Sequence, residues 1–345
     1  MHSTRPPASG CREGNCRPFS PKSSGLVRTR QNRGKTSGPV LGYLVSLMAS
    51  TMTLTRARGR IGSYVALMKP RIIELLLITT LPTMVVAKQG IPSVWLMVMT
   101  LLGGTLAAGG ANAMNMIYDR DIDAVMGRTK GRPLVTGELT AAQAIVFAVS
   151  IEVAAFLELW YAVNLLSAVL AVSATVFYVG VYTAWLKRSS SQNIVIGGAA
   201  GAVPVLVGWA AVTGRLALAP LILFAIIFVW TPPHFWALAV RYRSDYEAAQ
   251  VPMLPVVKPL EAVARQILIY TIVLVALSLA FGPAAGLGWV YDISAVVLGG
   301  YYIYRSWDLR NDASPKRAMK LFGYSITYLT LLFVAMAADV LIRHP

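Results

Sequence analysis

The sequence is poor in charge for its length. Only 13% of its 345 residues are Asp, Glu, Lys or Arg, whereas 56% are hydrophobic. A water-soluble chain of this size needs far more charged residues to cover its surface. The shortage therefore excludes an ordinary soluble globular protein and favours one that lies within a lipid bilayer.

Acidic residues are the scarcer of the two charge signs. The chain has 15 Asp and Glu against 31 Lys and Arg, which gives a formal net charge of +16. Such a charge is typical of nucleic-acid-binding proteins, but its distribution argues against that class. Residues 1–60 hold eleven Lys and Arg and one acid, Glu13, and the remaining excess lies in short segments between apolar runs. Membrane topology explains that pattern, so we expect a lipid bilayer and no nucleic acid as partner.

Cysteine is nearly absent. Cys11 and Cys16 both lie in the basic N-terminal stretch, and we interpret them as incidental thiols rather than as a disulfide or a metal site. Residues 1–40 are rich in Arg, Ser, Pro and Gly and carry no apolar periodicity. We therefore assign 1–60 to a basic, disordered tail and 61–345 to a membrane domain.

One short segment within this tail imitates a targeting signal. Pro39–Ser50 is an apolar run behind a basic region, as in a secretory signal. A transit-like leader, or a true start at Met48 or Met52, are alternatives to a plain tail. We favour the tail, because a multi-span protein inserts through its own first helix.

Long apolar runs recur from Ile72 onward. Each has about twenty residues, the length that a helix needs to cross roughly 30 Å of hydrocarbon. Such runs are too long and too uniformly apolar for barrel strands, and a helix satisfies all its backbone polar groups internally. We predict an all-α polytopic membrane protein of about nine transmembrane helices. Their predicted bounds are 72–90, 93–117, 141–161, 164–185, 193–212, 217–239, 264–282, 285–304 and 321–341.

The connections between these runs differ sharply in basic residues. Alternate connections hold seventeen Lys and Arg on one side and three on the other, namely Lys88, Arg215 and Arg343. Basic loops stay on the cytoplasmic side of a membrane. We therefore expect the N-terminus and the long loops to face the cytoplasm and the C-terminus to lie outside.

The second predicted helix ends in a cluster of acids. Asn115, Asp119 and Asp123 are spaced i, i+4 and i+8 and share one helical face, while Asp121 points to nearly the opposite side. Burying one Asp at the centre of a membrane helix costs on the order of 3 kcal/mol. We therefore place the cluster at the cytoplasmic end, where its oxygens suit Mg²⁺ held jointly with substrate phosphates. The alternative is a solvated loop whose acids merely pair with nearby arginines.

The sixth predicted helix ends in a similar way, with Asp245 and Tyr246. Two acidic helix ends half a molecule apart suggest a 4+4 pseudo-repeat with one cleft between them. Cations around both ends would suit a diphosphate, although the topology rule alone also places basic residues here. These candidate diphosphate-binding residues are Arg128, Lys130, Arg132, Lys187, Arg188, Arg241 and Arg243.

At this point four stretches resemble a known family. Asn115–Gly137 (NMIYDRDIDAVMGRTKGRPLVTG) is similar to the first aspartate motif of the UbiA-type intramembrane prenyltransferase superfamily. Its RTKGRPL continuation resembles the branch that farnesylates protoheme IX. Lys69–Arg71, Tyr182–Arg188 and Thr231–Val257 agree, so the resemblance spans about residues 60–345. The second motif departs from the usual pattern of two spaced aspartates.

The resemblance implies a bacterial plasma-membrane enzyme of the UbiA bundle fold. It would transfer the farnesyl group of farnesyl diphosphate to a vinyl group of heme B, with Mg²⁺ as cofactor, giving heme O. Asn115, Asp119, Asp123 and Asp245 would hold the metal, and Tyr246 would lie at the reacting centre. The downstream heme A synthase is a possible partner. Alternatives are a prenyltransferase acting on a quinone precursor or chlorophyllide, a transporter, or a purely structural subunit.

Two further polar residues lie within the predicted helices. His234, beside Pro232 and Pro233, is the only histidine of the membrane-spanning region. It is a candidate axial heme ligand, and a hydrogen-bonded structural histidine is the alternative. We expect the two prolines to interrupt regular hydrogen bonding. Glu152, near the middle of the third helix, must face the bundle interior or a cavity.

Overall fold

The computed structural model describes residues 59–344, and only the backbone of residues 71–77. The predicted tail, with its two cysteines and the segment Pro39–Ser50, lies almost wholly outside the described residues. In chain order the helices are α1 (Arg60–Met68), α2 (Pro70–Lys88), α3 (Val94–Tyr118), α4 (Arg120–Val125), α5 (Pro133–Thr136), α6 (Ala141–Val163), α7 (Leu165–Ser189), α8 (Asn193–Thr213), α9 (Leu218–Arg241), α10 (Arg243–Ala248), α11 (Leu254–Val257), α12 (Leu260–Ala284), α13 (Trp289–Asn311) and α14 (Pro315–Arg343).

Nine helices of the described region are long, which confirms the predicted architecture. Seven of them, α3, α6, α7, α8, α9, α12 and α14, are long and apolar enough to cross a membrane. The other two, α2 and α13, have 19 and 23 residues. Both still reach roughly 30 Å at the rise of an α-helix, so their length suffices for a span.

Local signals in the sequence set several helix ends. Ser93 caps α3 by accepting a hydrogen bond from the backbone N–H of Leu96. Thr140 and Gln143 form a reciprocal capping box at the start of α6. Gly214 ends α8 in the left-handed conformation, with φ of 66°. The last three helices are longer than their apolar runs predict, because each continues through charged residues at one end of the run.

The element order repeats between the two halves of the chain. The long helix α3 is followed by the short helices α4 and α5 and then by α6. In the same way α9 is followed by α10, α11 and then α12. Both α5 and α11 have a proline in their first turn. This arrangement agrees with the predicted pseudo-repeat. Each acidic helix end is followed by the same order of short and long helices.

Consecutive long helices pack side by side, and the last one, α14, closes the bundle against α2. The largest core cluster lies around α9, with α8, α12, α13 and α14, and its bulkiest fully buried side chains include Trp236 and Tyr302. Between α3 and α6 the approach is close. An added Cβ at Gly110 would lie 2.6 Å from Cγ of Glu152. Small residues at such crossings let membrane helices meet backbone to backbone.

Pro232 and Pro233 lie inside α9 without ending it. The helix runs unbroken from Leu218 to Arg241 with both prolines inside it. Both rings are buried among neighbouring helices. Each proline lacks the N–H that would bond the carbonyl four residues earlier, and membrane helices tolerate this because neighbouring helices and polar side chains can satisfy the freed carbonyl groups.

The fourth long helix, α7, changes its winding before it reaches its C-terminal end. Residues Phe177–Leu186 are π-helical, and Lys187–Ser189 resume the α-helix. A shorter π-helical stretch, Leu159–Val163, ends α6. π-Helical turns are rare and recur at functional sites. The long stretch in α7 lies directly before the residues that contact the acidic motif.

Candidate active site

The acidic motif crosses a break between α3 and α4, although the sequence predicts one continuous helix. Asp119 caps α3, and α4 begins at the next residue. The backbone hydrogen bonds continue across the break, from Asp119 N to Asn115 O at 2.9 Å and from Asp123 N to Asp119 O at 2.8 Å. Asn115, Asp119 and Asp123 therefore keep one common face and are buried, whereas the Asp121 side chain is 64% exposed.

Asn115 has a fixed orientation. Its amide nitrogen donates to Asp119 Oδ2 at 2.7 Å and to the hydroxyl of Thr183 at 3.1 Å. Its carbonyl oxygen accepts a hydrogen bond from Lys69 Nζ at 2.6 Å. Asp119 and Thr183 each accept a hydrogen bond from the amide nitrogen, so the amide oxygen must face Lys69, which can only donate.

Asp119 is completely buried at the centre of the site. Its Oδ2 accepts hydrogen bonds from Asn115 and from Lys187 Nζ. Its Oδ1 is also buried but has no hydrogen-bond partner in the described region, and the nearest cation is Arg188 Nη2 at 4.0 Å. A buried carboxylate oxygen without a donor can accept one more cationic ligand.

Asp123 forms an ion pair with Arg132, with 2.5 Å between Oδ2 and Nη1. The Thr129 hydroxyl donates to the backbone carbonyl of Asp123 at 3.0 Å. This contact folds the segment after α4 back over the motif. The loop that carries Arg128 and Arg132 is thereby held beside the carboxylates.

Asp121 belongs to a separate, outward-facing contact. Both of its oxygens accept hydrogen bonds from the Arg188 guanidinium at 2.7 Å. The hydrogen bond from Arg188 lowers the pKa of Asp121 to about 2. The pair joins the end of α3 to the end of α7 without taking part in the buried cluster.

Lys69 is a site residue that our reading of the sequence did not assign. It lies between α1 and α2 with φ of 54°, in the left-handed region that few non-glycine residues adopt. Burial lowers its pKa to about 7, and the positive charges of Arg132 and Lys187 act in the same direction. A lysine before a proline at the start of a membrane helix was the signal available in the sequence.

The second acidic helix end meets the first through the loop after α4. Arg128 Nη2 donates to the hydroxyl of Tyr246 at 3.0 Å, and its guanidinium lies over the rings of Tyr242 and Tyr246. An added Cβ at Gly127 would lie 3.8 Å from the carboxylate of Asp245. Tyr246 is buried, and burial raises its pKa. The structure thus brings the two predicted motifs together through Arg128 and Gly127.

The predicted cations divide into two groups. Arg128, Arg132, Lys187 and Arg188 contact residues of the two motifs. The other group is exposed to solvent around the site and forms no ion pair with any residue described in 59–344. It consists of Lys130, Arg241 and Arg243.

Two stacked tyrosines line the same end of the bundle. Tyr178 and Tyr182, both in the π-helical part of α7, lie with ring centroids 5.4 Å apart. An added Cβ at Gly197 would lie 2.3 Å from the Tyr182 ring, so only glycine leaves room for it. Sequence reasoning missed Tyr178 and Tyr182 because π-helical winding changes which residues share a face.

His234 lies inside the bundle against α14. Its Nδ1 is 2.7 Å from the hydroxyl oxygen of Ser325, and its ring stacks on Trp230 with centroids 4.2 Å apart. The ring of Phe322 approaches from the other helix at 4.6 Å. The Ser325 hydroxyl donates to the carbonyl of Phe322, so it accepts from His234 Nδ1–H. This hydrogen bond leaves Nε2 as the ring nitrogen with a free lone pair.

Glu152 lies between α3, α6 and α7, as expected for an acid inside a membrane helix. Its Oε1 accepts a hydrogen bond from the Thr175 hydroxyl at 2.9 Å. The two residues share an apolar groove of about 550 Å³ with Met114, Phe156 and other aliphatic side chains. None of the acidic-motif residues lines this groove, so Glu152 is a buried polar group separate from the acidic motif.

The donor set of the first motif fits a hard divalent cation. Two carboxylates and an amide oxygen are the ligands that Mg²⁺ prefers, and Asp119 Oδ1 is buried without a donor. Within residues 59–344 there is no ready-made cluster of three or more His, Cys, Asp or Glu side chains at metal-binding distance. The oxygens of Asn115, Asp119 and Asp123 are instead held by Lys69, Lys187 and Arg132.

Comparison with known proteins identifies the family to which the chain belongs. Residues 76–334 match the model of the UbiA prenyltransferase family. The chain belongs to this family. Both acidic helix ends, Lys187 and His234 lie within the matched range, whereas Lys69 precedes it.

Curated relatives are similar over most of their length. The chain is 53% identical over 294 residues to a protein of Parafrankia sp. (strain EAN1pec) named protoheme IX farnesyltransferase, covering 84% of this chain and 93% of that one. A protein of the same name from Streptomyces avermitilis is 48% identical over 304 residues, with 85% and 100% covered.

Solved structures share the fold of this family at low sequence identity. One, concerned with digeranylgeranylglyceryl phosphate synthase in membranes, has a TM-score of 0.70 and 16% identity, with 82% of this chain and 99% of that chain covered. Another, a UbiA homolog from Archaeoglobus fulgidus bound to GPP and Mg²⁺, has a TM-score of 0.57 and 18% identity, with 81% and 99% covered. These likenesses show that the bundle is the UbiA fold.

Proposed function

We propose that the chain transfers a farnesyl group from farnesyl diphosphate to a vinyl group of heme B, giving heme O and diphosphate. The observation that carries the proposal is 53% identity to a relative named protoheme IX farnesyltransferase along 93% of that relative. At this identity the similarity covers whole helices and both acidic helix ends, not a single motif. The site also contains carboxylates that could hold a metal ion and cations that could bind a prenyl diphosphate.

Asn115, Asp119, Asp123 and Asp245 are the proposed holders of Mg²⁺. The free Oδ1 of Asp119 and the position of Asp245 against Gly127 support this assignment. The Mg²⁺ reported in the structure of the Archaeoglobus fulgidus homolog supports it as well. When bound, the metal would neutralise charge that develops on the departing diphosphate.

Cations from three parts of the chain would bind that diphosphate. Arg132, Lys187 and Arg188 already lie at the acidic motif, and Arg128 lies between the two motifs. Guanidinium groups bind phosphate oxygens with two parallel hydrogen bonds. The exposed Lys130, Arg241 and Arg243 would attract the anion toward the cytoplasmic mouth of the bundle.

The reaction breaks the allylic C–O bond, whose electron pair leaves with the diphosphate. The farnesyl carbon then forms a C–C bond with the terminal vinyl carbon of heme B. Water adds to the other vinyl carbon and loses a proton, which completes the hydroxyl of heme O. Apolar helices would keep other water away from the allylic cation, and the rings of Tyr178, Tyr182 and Tyr246 would stabilise it.

His234 is the proposed axial ligand of the heme. Its Nδ1 is bonded to Ser325, and a metal-binding histidine commonly donates its other ring N–H in this way. The free Nε2 would then bind the iron.

The proposed location is a bacterial plasma membrane with the site at the cytoplasmic face. The strong excess of basic residues in the connections on the side of the acidic motif supports this orientation. Lys69, Arg132, Lys187 and Arg188 all meet the motif at that end of the bundle. Heme A synthase remains a proposed partner, because its substrate would be the product of this reaction.

Pigment extraction tests the proposal directly. The chain is expressed in bacteria that lack the gene for their own protoheme IX farnesyltransferase. The hemes are then extracted, separated and identified by mass spectrometry. We expect heme O with the unaltered chain and none with the Asp119→Asn, Asp123→Asn double variant at equal membrane abundance. Unchanged heme B with the unaltered chain would overturn the proposal.

A transporter and a quinone-precursor prenyltransferase make different predictions. A transporter places ionisable groups at broken helices near the membrane midplane. Here the acids of the two motifs lie at the ends of α3 and α9. A prenylated quinone precursor in the same extracts, without heme O, would favour the other prenyltransferase.

A further inference from the structure

A second set of basic residues lies where α13 ends and α14 begins. It consists of Arg305 and Arg310 of α13 and of Lys316, Arg317 and Lys320 of α14. The helix α13 packs against α12 and α14, and none of these three helices carries a residue of either acidic motif. This set, called here the α13–α14 surface, therefore lies outside the site proposed for prenyl transfer.

Both acids of this junction are bound by one arginine. Nη1 of Arg317 lies 2.6 Å from Asp308 Oδ1, and its Nε lies 2.9 Å from Asp312 Oδ2. Nη1 also donates to the backbone carbonyl of Asp308 at 2.7 Å. The other basic residues of the α13–α14 surface form no ion pair with any residue that the structure describes. The surface thus keeps positive charges that no carboxylate of the described region neutralises.

The two free arginines lie over aromatic rings. The guanidinium carbon of Arg305 is 5.8 Å from the centroid of Tyr301, and that of Arg310 is 4.8 Å from the centroid of Trp307. Both rings are exposed, as is Tyr304 between them in the sequence. Exposed aromatic residues near the end of a membrane helix lie at the level of the lipid headgroups. A guanidinium that lies over a ring keeps the N–H groups at its edge available to a ligand.

An available guanidinium at this depth meets the phosphate of a lipid headgroup. It can bind two phosphate oxygens with parallel hydrogen bonds. Basic clusters beside membrane helices attract anionic lipids, and each cation near the surface strengthens the attraction. A phosphodiester with a net negative charge is therefore complementary to the α13–α14 surface in both charge and depth.

We propose that Arg305 and Arg310 form a binding site for the headgroup of an anionic phospholipid, with Tyr301 and Trp307 holding the two guanidinium groups in place. The two lysines of α14 add attraction without a fixed hydrogen-bond geometry. A bound lipid would hold the hairpin of α13 and α14 at one face of the membrane. The inference goes beyond the proposed function and does not depend on it.

The topology rule offers a simpler explanation of the same charges. It places basic residues at one end of membrane helices and requires only that they are positive. A headgroup site requires more, because stacking on a ring and binding phosphate by two parallel hydrogen bonds are properties of arginine rather than of lysine. Replacing arginine by lysine therefore separates the two explanations while the charge stays constant.

The test measures lipid binding to the purified full-length protein in detergent by native mass spectrometry. Phosphatidylglycerol is the anionic probe, and phosphatidylcholine with the same acyl chains is the neutral one. We expect the unaltered protein to bind phosphatidylglycerol at least about fivefold more tightly, the contribution of one or more cations near a headgroup. Equal affinity for the two lipids would overturn the inference and leave the surface to a protein partner or to topology alone.

The Arg305→Lys, Arg310→Lys double variant keeps both charges but removes both planar groups. We expect its preference for phosphatidylglycerol to fall several-fold, toward equal binding of the two lipids. Arg265→Lys is the matched control, because Arg265 is an exposed arginine at the same end of the bundle and lies over no ring described in 59–344. A preference that the double variant keeps, or that the control loses equally, would overturn the inference.

A further variant tests the ring without touching either arginine. Trp307→Leu removes the ring over which Arg310 lies, and we expect a smaller loss of preference than in the double variant. An unchanged preference would overturn the role assigned to this ring. Thermal unfolding in detergent shows that each variant is folded, and we expect midpoints close to that of the unaltered protein because the altered side chains are at the surface.

Discussion

The ends of α3 and α9 both carry acids beside arginines, but the two ends differ in how their carboxylates are buried and paired. After α3, two carboxylates are buried and each is paired with a cation, Lys187 or Arg132. After α9, Asp245 is half-buried and forms no ion pair with any residue described between 59 and 344. The first helix end is therefore preformed, and the second offers one carboxylate and the hydroxyl of Tyr246.

This difference has a physical cause in the sequence. The first helix end has three acids over five residues, so two fall on the buried face and one outside. The second has only Asp245 and Glu247, two positions apart, which point to different sides of a helix, and Glu247 is exposed. We infer that the first end fixes the metal and diphosphate, while the second completes the site and borders the acceptor.

The largest effect is expected where the burial is greatest. Asp119→Asn and Asp123→Asn should each lower prenyl transfer by at least about 100-fold, since each removes a preorganised charge at the reacting diphosphate. The assay is heme O formed per inserted protein in isolated membranes. If either variant kept near-normal activity, the conclusion that the end of α3 is preformed for the reaction would be wrong.

His234, on the helix that carries the second acidic end, tests the acceptor side of the comparison. His234→Ala should change the absorption spectrum of bound heme and weaken heme binding by roughly tenfold or more, as losing an axial ligand does. Affinity for farnesyl thiodiphosphate should stay nearly unchanged. An unaltered heme spectrum in a folded His234→Ala protein would remove the ligand role.

The matched control for His234 is Ser325→Ala, which keeps the ring but removes its hydrogen-bond partner. A structural role alone predicts that both variants lose thermal stability and that both still bind heme normally. A ligand role predicts a changed spectrum mainly for His234→Ala.

Asp245→Asn should have an intermediate effect. We expect a loss of roughly tenfold, since the carboxylate adds to a metal site whose main ligands lie elsewhere. The concentration of Mg²⁺ needed for half-maximal activity should rise, which distinguishes a ligand from a packing residue. A loss as large as that of Asp119→Asn would make the two helix ends equivalent, and our distinction would fail.

Asp121→Asn should have a small effect, within about threefold, because exposed ion pairs contribute little. Arg188 holds the pKa of this carboxyl at about 2, so the pair is ionised throughout the usual assay range. Activity against pH should therefore have the same shape in both proteins. If Asp121→Asn proved as damaging as Asp119→Asn, the argument from helical faces would be wrong.

Deletion of residues 1–47 should leave prenyl transfer unchanged. Residues 1–40 have no apolar periodicity with which to pack on the bundle, so we expect neither helix end to depend on the deleted segment. The measurement is heme O formation by membranes that contain equal amounts of the full and shortened proteins. Lost activity in a correctly inserted, normally abundant protein would contradict the interpretation of this stretch as a tail.

Much of the fold was predictable because apolar length is a strong signal. The bounds of the first six long helices agree with the predicted runs within a few residues, and the burial of Asn115, Asp119 and Asp123 follows from their spacing. The partners of these residues were not predictable. The contact between Lys69 and Asn115 joins residues 46 positions apart, and local periodicity carries no information on such a pair.

The winding of α7 was the second limit of sequence reasoning. An α-helical period assigns faces incorrectly from Phe177 to Leu186, where the turns are wider. The stacked pair Tyr178 and Tyr182, and the side chain of Thr183 that contacts Asn115, all lie in this stretch. A sequence shows which residues are present there, but not which of them face the site.

The π-helical stretch makes the number of residues in α7 as important as their chemistry. Each residue of an α-helix turns the chain by about 100°. Removing one residue from Phe177–Leu186 would let the wide turns relax, and Lys187 would rotate away from Asp119 although every functional side chain remained. The gene for this protein should therefore tolerate substitutions at positions of this stretch that do not contact the site, but no single-codon insertion or deletion.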